Sequence, residues 1–426
     1  MADLSRMLLI LFLTCVISTA NGSLGQYIPA LGEHGNANRD ELIDRYFHLG
    51  LQHVEIVAFL TLVHGIKISL RQLKRILQRK ALRRRGTNSN LGLVIRTIQQ
   101  EIEGSGKSIG YRTMWQRLRN DHRIVVSRET VRHVLRIVDP DGVSRRLSRR
   151  LRRRQYKAKG PNFLWHLNGY DKLKPFGFCI HGCIDGFSRR IMWLEVATTN
   201  NDSRLVAKYF LDTIRQVGGA PSIVHTDYGT ENVKVAGIQR FLRRHGTDSF
   251  AGANSFMYGK SVSNQRIEAW WGQLRKNSTD WWINHFKSLR DGGLYSDGDV
   301  LHVECLKFCY MLVIRAELQR VAIHWNVHRI RPSTNPDSPA GRPDSLFFLP
   351  SLVSQQTRDC KHAIDNSDVD VAEDLCSCSP IPDCLPSFAQ LATILMAELN
   401  LELPDSPESA KELYLKLLEG MEDLLT

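Results

Sequence analysis

A change of hydrophobic period near Pro161 constrains this chain more than any other feature. Upstream of it, apolar residues recur at helical spacing. Downstream, three β-like runs come in quick succession, over residues 165–170, 177–185 and 191–196. Asp185-Gly186 supplies a turn between the second and third. Residues 203–217 then read as an amphipathic helix stopped by Gly218-Gly219, and residues 222–226 as a short buried strand carrying Ile223 and Val224. Further helices are expected at about 235–245 and 264–276. The spacing therefore predicts a β/α domain preceded by something all-helical.

The preceding part divides in two. Asn38 is placed to cap a helix that runs to about Leu49, and a second apolar-periodic stretch covers about 52–63. Ser69 stands three residues before Gln72, a capping-box spacing, and opens a helix with Leu70, Leu73, Ile76 and Leu77 on one face. Nine Lys or Arg and no acid lie between Lys67 and Arg85. Three short helices with a basic third one suit a helix-turn-helix over residues 38–86, with Arg71, Lys74 and Arg75 as DNA contacts. A solvated basic helix on a plain bundle is the other reading. A second helical unit spans 91–140. Tyr111, Trp115 and Leu118 keep helical spacing, residues 124–126 look like a short β-like link, and Ser127 caps a last helix. That helix turns Val131, Val134 and Leu135 inward and Arg128 and Arg132 outward. The stretch resembles the helix-turn-helix that precedes the catalytic core in many bacterial insertion-sequence transposases. Residues 141–160 form a basic linker, with nine Lys or Arg and no acid from Ser144 to Lys159.

Charge separates the ends of the chain. Lys plus Arg is 57 and Asp plus Glu is 44 over 426 residues, a net +13. From Asp359 onward, 15 acidic residues face 3 basic ones, so everything before carries +25. A basic body with an acidic tail points to a polyanionic partner, double-stranded DNA above all. Nine Cys are too few for a disulfide scaffold of this length. An apolar fraction of 42% excludes a wholly disordered chain. Leu8 to Ile17, followed by Ser18-Thr19-Ala20, is similar to a secretory signal, although Asp3 offsets Arg6; residues 1–37 are otherwise an apolar leader of open meaning. No run is long enough for a membrane span. With DNA as partner the expected location is the nucleus; a true signal would make the protein secreted.

Four motifs fix a family resemblance. They are Trp165-His166-Leu167-Asn168-Gly169, then IHGCIDGFSRRIMWLEV, then HTDYGTEN, then SVSNQRIEAWWGQLRK, in that order. The stretch from Pro161 to about Arg331 resembles the integrase core of retroviral-type integrases and related transposases, and is most similar to a group of animal, transposon-derived integrase-core proteins. The resemblance implies a multi-domain chain: all-α helix-turn-helix units, an α/β ribonuclease-H-like integrase core with a mixed sheet (161–335), and an acidic, mostly disordered or helical tail (336–426). It implies DNA integration by metal-dependent phosphoryl transfer, a homo-oligomer, and no small-molecule substrate. Such chemistry is an in-line displacement at phosphorus, which two Mg²⁺ promote by stabilising both the attacking and the leaving oxygen. Mg²⁺ prefers oxygen ligands, so carboxylates must converge from separate elements; Mn²⁺ tolerates looser geometry.

The family places an Asp on the first strand, an Asp at the end of the fourth and a Glu on a later helix. The second Asp maps to Asp227, the Glu to Glu268 at 41 positions further on. Arg275 and Lys276 follow Glu268 by seven and eight residues and are expected to hold DNA phosphates beside it. At the first position this chain has Asn168. Asn keeps one carbonyl oxygen but loses the charge and the bidentate capacity, so Mg²⁺ or Mn²⁺ binding at Asp227 and Glu268 is expected to weaken, with a large loss of activity. Asp171 falls on the other strand face, and Asp185 belongs to a turn. Cys179, His181 and Cys183 look like ligands but sit on a core strand; Cys305 with Cys309, and Cys376, Cys378 and Cys384, lack zinc partners. Trp270, Trp271, Trp281 and Trp282 are read as core before base-stacking groups. The alternative to an enzyme is a domesticated DNA-binding or chromatin interaction protein that cuts nothing.

Overall fold

The computed structural model describes residues 37–83, 89–147, 158–259, 264–332, 339–354, 356–376 and 382–425. The apolar leader, Arg84 and Arg85, most of the basic linker, residues 261–263 and Cys378 lie outside the described residues.

Helices α1 (Arg39–His48), α2 (His53–Leu62) and α3 (Leu70–Arg79) form the first bundle. Asn38 accepts from the backbone N–H groups of Asp40 and Glu41, and the Glu41 carboxylate returns to Asn38 N. Ser69 and Gln72 repeat that exchange on α3. The bundle core takes in Val327 and Leu349 from far along the chain, so it is docked rather than hanging free. Arg342 ties it down, donating to Gly50 O at 2.7 Å and to Glu55 Oε2 at 3.3 Å.

The second unit is α4 (Leu91–Glu103), α5 (Tyr111–Asn120), α6 (Arg128–Val138) and α7 (Pro140–Leu147). Residues 124–126 are not a strand. The Val126 carbonyl accepts from the Trp115 indole at 2.8 Å and the Val125 carbonyl from Ser89 N at 2.8 Å, which leaves no ladder to form. Arg117 is 1% exposed and bolts this unit to the rest: it donates to Glu101 at 2.7 Å, Ser105 Oγ at 3.1 Å and Asn277 O at 2.9 Å.

Five strands make one mixed sheet in the order β3-β2-β1-β4-β5: β1 (Leu164–Tyr170), β2 (Cys179–Asp185), β3 (Ile191–Ala197), β4 (Ile223–Thr226) and β5 (Phe256–Tyr258). The β1–β2 and β2–β3 pairs are antiparallel; β4 lies parallel to both β1 and β5. Alternation sends Trp165 and Leu167 to one face, where α8 (Ser203–Val217), α9 (Val233–Leu242) and α14 (Asn366–Cys376) cover them. Tyr170, Ile180, Leu194 and Val196 face the other layer. There lie α10 (Gln265–Leu274), a π turn over Arg275–Thr279, α11 (Asp280–Asp291) and the 28-residue α12 (Val300–Val327). Trp270, Trp271 and Trp282 are core, and Trp281 donates its indole N–H to Glu103 O at 2.8 Å.

Beyond Pro343 the chain is more regular than its composition suggested. A short helix, α13 (Pro343–Phe348), leads to α14, and α15 (Pro386–Glu398) and α16 (Pro407–Leu425) close the described chain. Leu395, Leu413, Tyr414, Leu417 and Met421 enter the core layer on α12. Arg215 pairs with Glu373 at 2.6 Å and with Asp370, while Arg244 pairs with Asp368 at 2.9 Å. The acidic face of α14 thus pairs with Arg215 of α8 and with Arg244, two residues past the end of α9. Among the described residues, no helix is long and apolar enough to cross a membrane.

Candidate active site

The site sits where β1, the end of β4 and the first turn of α10 meet. β1 is central in the sheet, and Asn168, 8% exposed, stands opposite Gly182 of β2. Gly182 allows the helix to come close: a Cβ there would lie 2.8 Å from Trp271 Cη2. Asp227 follows the last residue of β4. Gly229 N at 3.4 Å and Asn232 Nδ2 at 3.3 Å donate to its Oδ1, long contacts that orient rather than clamp it.

One buried carboxamide sets the helix against the strand. Asn264, fully buried, precedes α10 but does not cap it with its side chain. Its Nδ2 donates to Leu167 O at 2.7 Å, and its Oδ1 accepts from His166 Nδ1 at 2.6 Å and from His225 Nδ1 at 3.4 Å. The short bond puts the His166 proton on Nδ1. Burial pushes His166 down to about 3, so it stays neutral. Glu268 N bonds to Asn264 O at 3.2 Å, one turn on. Fixing Asn264 on β1 thus aims Glu268 at Asn168.

Asn168 Nδ2 donates to Glu268 Oε1 at 2.7 Å. Burial and the nearby Asp227 charge raise the Glu268 pKa, against the opposing effect of the Asn168 hydrogen bond. Glu231 is a further carboxylate beside Asp227. Its pKa is raised by burial and by the charges of Asp227 and Asp171, and Asn232 Nδ2 donates to it at 3.1 Å. Asp171, just past β1, accepts from Asn200 Nδ2 at 2.9 Å. Asp185 is fully buried in the turn, accepting from Asn162 N, Ser188 N and Ser188 Oγ at 2.6–2.8 Å.

The structure brings Asn168, Asp227 and Glu268 together, yet the donor set does not fit a pair of divalent ions. Asn168 presents a donor N–H, not an oxygen, to Glu268. A single amide oxygen is neutral and cannot bridge two dications as a carboxylate does. Among the described residues no three His, Cys, Asp or Glu side chains form a metal-ion cluster. The buried Cys179, His181 and Cys183 strand and the Cys305 and Cys309 pair are core, with burial raising the Cys179, Cys183 and Cys309 thiols.

The candidate DNA contacts lie on separate surfaces. Arg71, Lys74 and Arg75 are exposed on α3. Arg75 also borders a cleft of about 330 Å³ with Arg39, Lys67 and Arg79. Arg128 lies over the Trp115 ring at 4.4 Å, and Arg132 pairs with Glu129 at 3.0 Å. Arg275 and Lys276 are exposed at the start of the π turn, with Arg275 held by Asp280 at 3.1 Å.

Residues 155–359 match the family model of the integrase core domain. This part of the chain is an integrase core domain. Its five-stranded mixed sheet, flanked by helices on both faces, is the ribonuclease-H-like arrangement expected of that family. The match makes the chain integrase- or transposase-like, of the kind carried by mobile elements, and such domains generally use divalent metals. No curated protein matches the chain.

Four residues of the integrase core and its docked helices carry more than sequence reading assigned to them. Asn264 and Arg117 act through hydrogen bonds across 97 and 160 positions, which no local spacing signals. Glu231 lies inside the HTDYGTEN motif and was visible as an acid four residues after Asp227. Tyr228, next to Asp227, had the same visibility.

Proposed function

We propose that this protein binds double-stranded DNA through its helical N-terminal units and integrase core, and that it does not carry out Mg²⁺-dependent strand transfer. The observation that carries this reading is the 2.7 Å hydrogen bond from Asn168 Nδ2 to Glu268 Oε1. In a working member of the family the same place holds an Asp, and two carboxylates so close together need cations between them. Here an amide N–H takes that role. The proton donor is permanent, since an amide does not titrate in the physiological range. Of the family's three carboxylate positions, only Asp227 and Glu268 carry one in this chain.

DNA binding rests on charge. The body carries +25, and the exposed Arg71, Lys74 and Arg75 face solvent without acids on α3. Chain copies acting together on two DNA ends would be the expected working form. A nuclear location accords with a DNA partner.

The test is strand transfer and nicking by purified protein on a DNA duplex, with Mg²⁺ or Mn²⁺. The native chain is expected to bind and not to cut, and Asn168→Asp is expected to gain cutting. Loss of one preorganised charge contact costs about 10²–10³ in rate, and a shared metal ligand at least that. Equal cutting by the native chain and the variant in Mg²⁺ would show that Asn168 does not disable the site.

A further inference from the structure

Tyr228 is 72% exposed, and it directly follows Asp227. Its exposure is built in. Asp227 is oriented by Gly229 N and Asn232 Nδ2, which holds the short loop after β4. β5 pairs in parallel register with Tyr258 opposite Thr226, and Gly259 N closes the pair on Thr226 O at 2.9 Å. The Tyr258 ring therefore stands beside Tyr228. Their centroids are 5.9 Å apart and their planes 11° from parallel. Tyr258 in turn meets the buried Phe256 edge-on at 4.9 Å. A ladder of three rings thus runs from the core to solvent, and its outermost member stands one residue from the candidate active site.

We infer that the Tyr228–Tyr258 pair is a stacking platform for one unpaired nucleobase at a DNA end. This deepens the DNA-binding reading and rests on it. Charge selects the base over the backbone. Asp227 directly precedes Tyr228, and Asn232 Nδ2 joins it to Glu231 at 3.3 and 3.1 Å, so the loop beside the platform carries two carboxylates, which repel a phosphodiester in the absence of a cation. The neutral, flat part of a nucleotide is its base. The exocyclic amino group of adenine, guanine or cytosine can donate to Asp227 or Glu231 while the ring stacks on Tyr228. A base still paired inside a duplex cannot offer its face in this way, so the occupant is a frayed or tailed end. Stacking on an aromatic ring is tolerant of sequence.

The experiment compares the full chain on a blunt duplex and on the same duplex with a three-nucleotide adenine tail. 2-Aminopurine replaces one tail adenine as a fluorescent reporter. The native chain should bind the tailed duplex at least about fivefold more tightly, the low end for stacking a single base, and quench the reporter. Tyr228→Ala should bring the ratio of the two affinities to about one and abolish the quench; Tyr228→Phe should keep both. If the native chain shows no preference, or Tyr228→Ala keeps it, the platform assignment is overturned while DNA binding stands. If neither duplex binds, the DNA reading fails and this inference falls with it. A concentration-dependent dimer that Tyr228→Ala dissolves, with no tail preference, would give the platform to a second copy of the chain and overturn the assignment to a base.

Discussion

Asn168→Asp should turn the candidate active site from one held by a hydrogen bond into one held by a cation. In the native chain, the Asn168 N–H donates to Glu268 Oε1 at 2.7 Å. The substitution sets two carboxylates at that separation with Asp227 close by. Two unit charges about 4 Å apart repel by about 4 kcal/mol at an effective dielectric near 20. The site can escape part of this by protonating Glu268, whose proton affinity burial and Asp227 already raise. Protonating an ordinary Glu at pH 7 costs about 3.7 kcal/mol, and a Glu whose pKa is already raised costs less, so the loss is capped below that figure and shrinks as the pH falls toward 5. A divalent ion offers the other escape. An ion present at about 100 times its dissociation constant stabilises the folded form by about 2.7 kcal/mol. For a cooperative unit of about 150–250 residues, the size of the integrase core, that is about 5–10 °C in Tm. The assay is thermal unfolding in EDTA, in Mg²⁺ and in Mn²⁺. The variant should melt below the native chain in EDTA and regain its loss with millimolar metal, while the native chain stays indifferent to metal. A native chain that gains as much from Mg²⁺ as the variant would refute the reasoning, because the ion would then be bound without a carboxylate at 168.

Four other perturbations test the frame around the site. Gly182→Ala places a Cβ 2.8 Å from Trp271 Cη2, and overpacking of that kind should cost about 1–3 kcal/mol in urea unfolding. Arg117→Ala leaves the Glu101 carboxylate buried without its main cation, so a loss of about 3–5 kcal/mol is expected, read by urea unfolding and by the emission of Trp281 at the same junction. Burial alone would raise Glu101, but hydrogen bonds from His122 and Arg117 and the charge of Arg117 take it down to about 2 from 4.5. A depressed carboxyl stabilises the fold fully above its unfolded pKa and loses that contribution as the pH falls toward 2. Stability measured from pH 5 to pH 2 should therefore drop by on the order of 3 kcal/mol more in the native chain than in Glu101→Gln. Replacing Arg71, Lys74 and Arg75 by Ala should flatten the slope of log K against log salt for DNA by up to about 2.7, each phosphate contact contributing about 0.9; an unchanged slope would remove α3 from the interface.

Sequence sufficed for elements that carry their own punctuation. Helix α8 spans Ser203–Val217 as its glycine stop foretold, and α16 begins at Pro407 with Ser406 before it. It failed where structure is made by a distant partner. Strand β5 has three residues and exists through pairing with β4. Helix α12 is buried on several sides between the sheet and the tail helices, so it offers no polar stripe to mark a helical period. Helix α14 looked like loose acidic tail because its charges are balanced by Arg215 and Arg244, some 125–155 positions away. In the site, motif spacing led to Asp227 and Glu268, but the bond from Asn168 to Glu268 and the pin at Asn264 are tertiary facts.

The Asn at 168 follows a physical logic of its own. A metal-ion triad is a liability to the fold that carries it: three acids are brought together, half-buried, and each raises the others' cost of ionisation. Replacing one Asp by its amide isostere keeps the volume, the strand and the β1–β2 register, with Asn168 still opposite Gly182. It exchanges a repulsion for a charge-assisted hydrogen bond at 2.7 Å. The integrase core therefore needs no rearrangement to lose its third carboxylate, and it becomes easier to hold together without metal. The fold, the exposed Arg71 and Arg75 of α3 and the aromatic ladder at Tyr228 are all independent of that exchange. On the proposed reading, the chain keeps the surfaces expected to meet DNA without the residue whose charge would demand a cation.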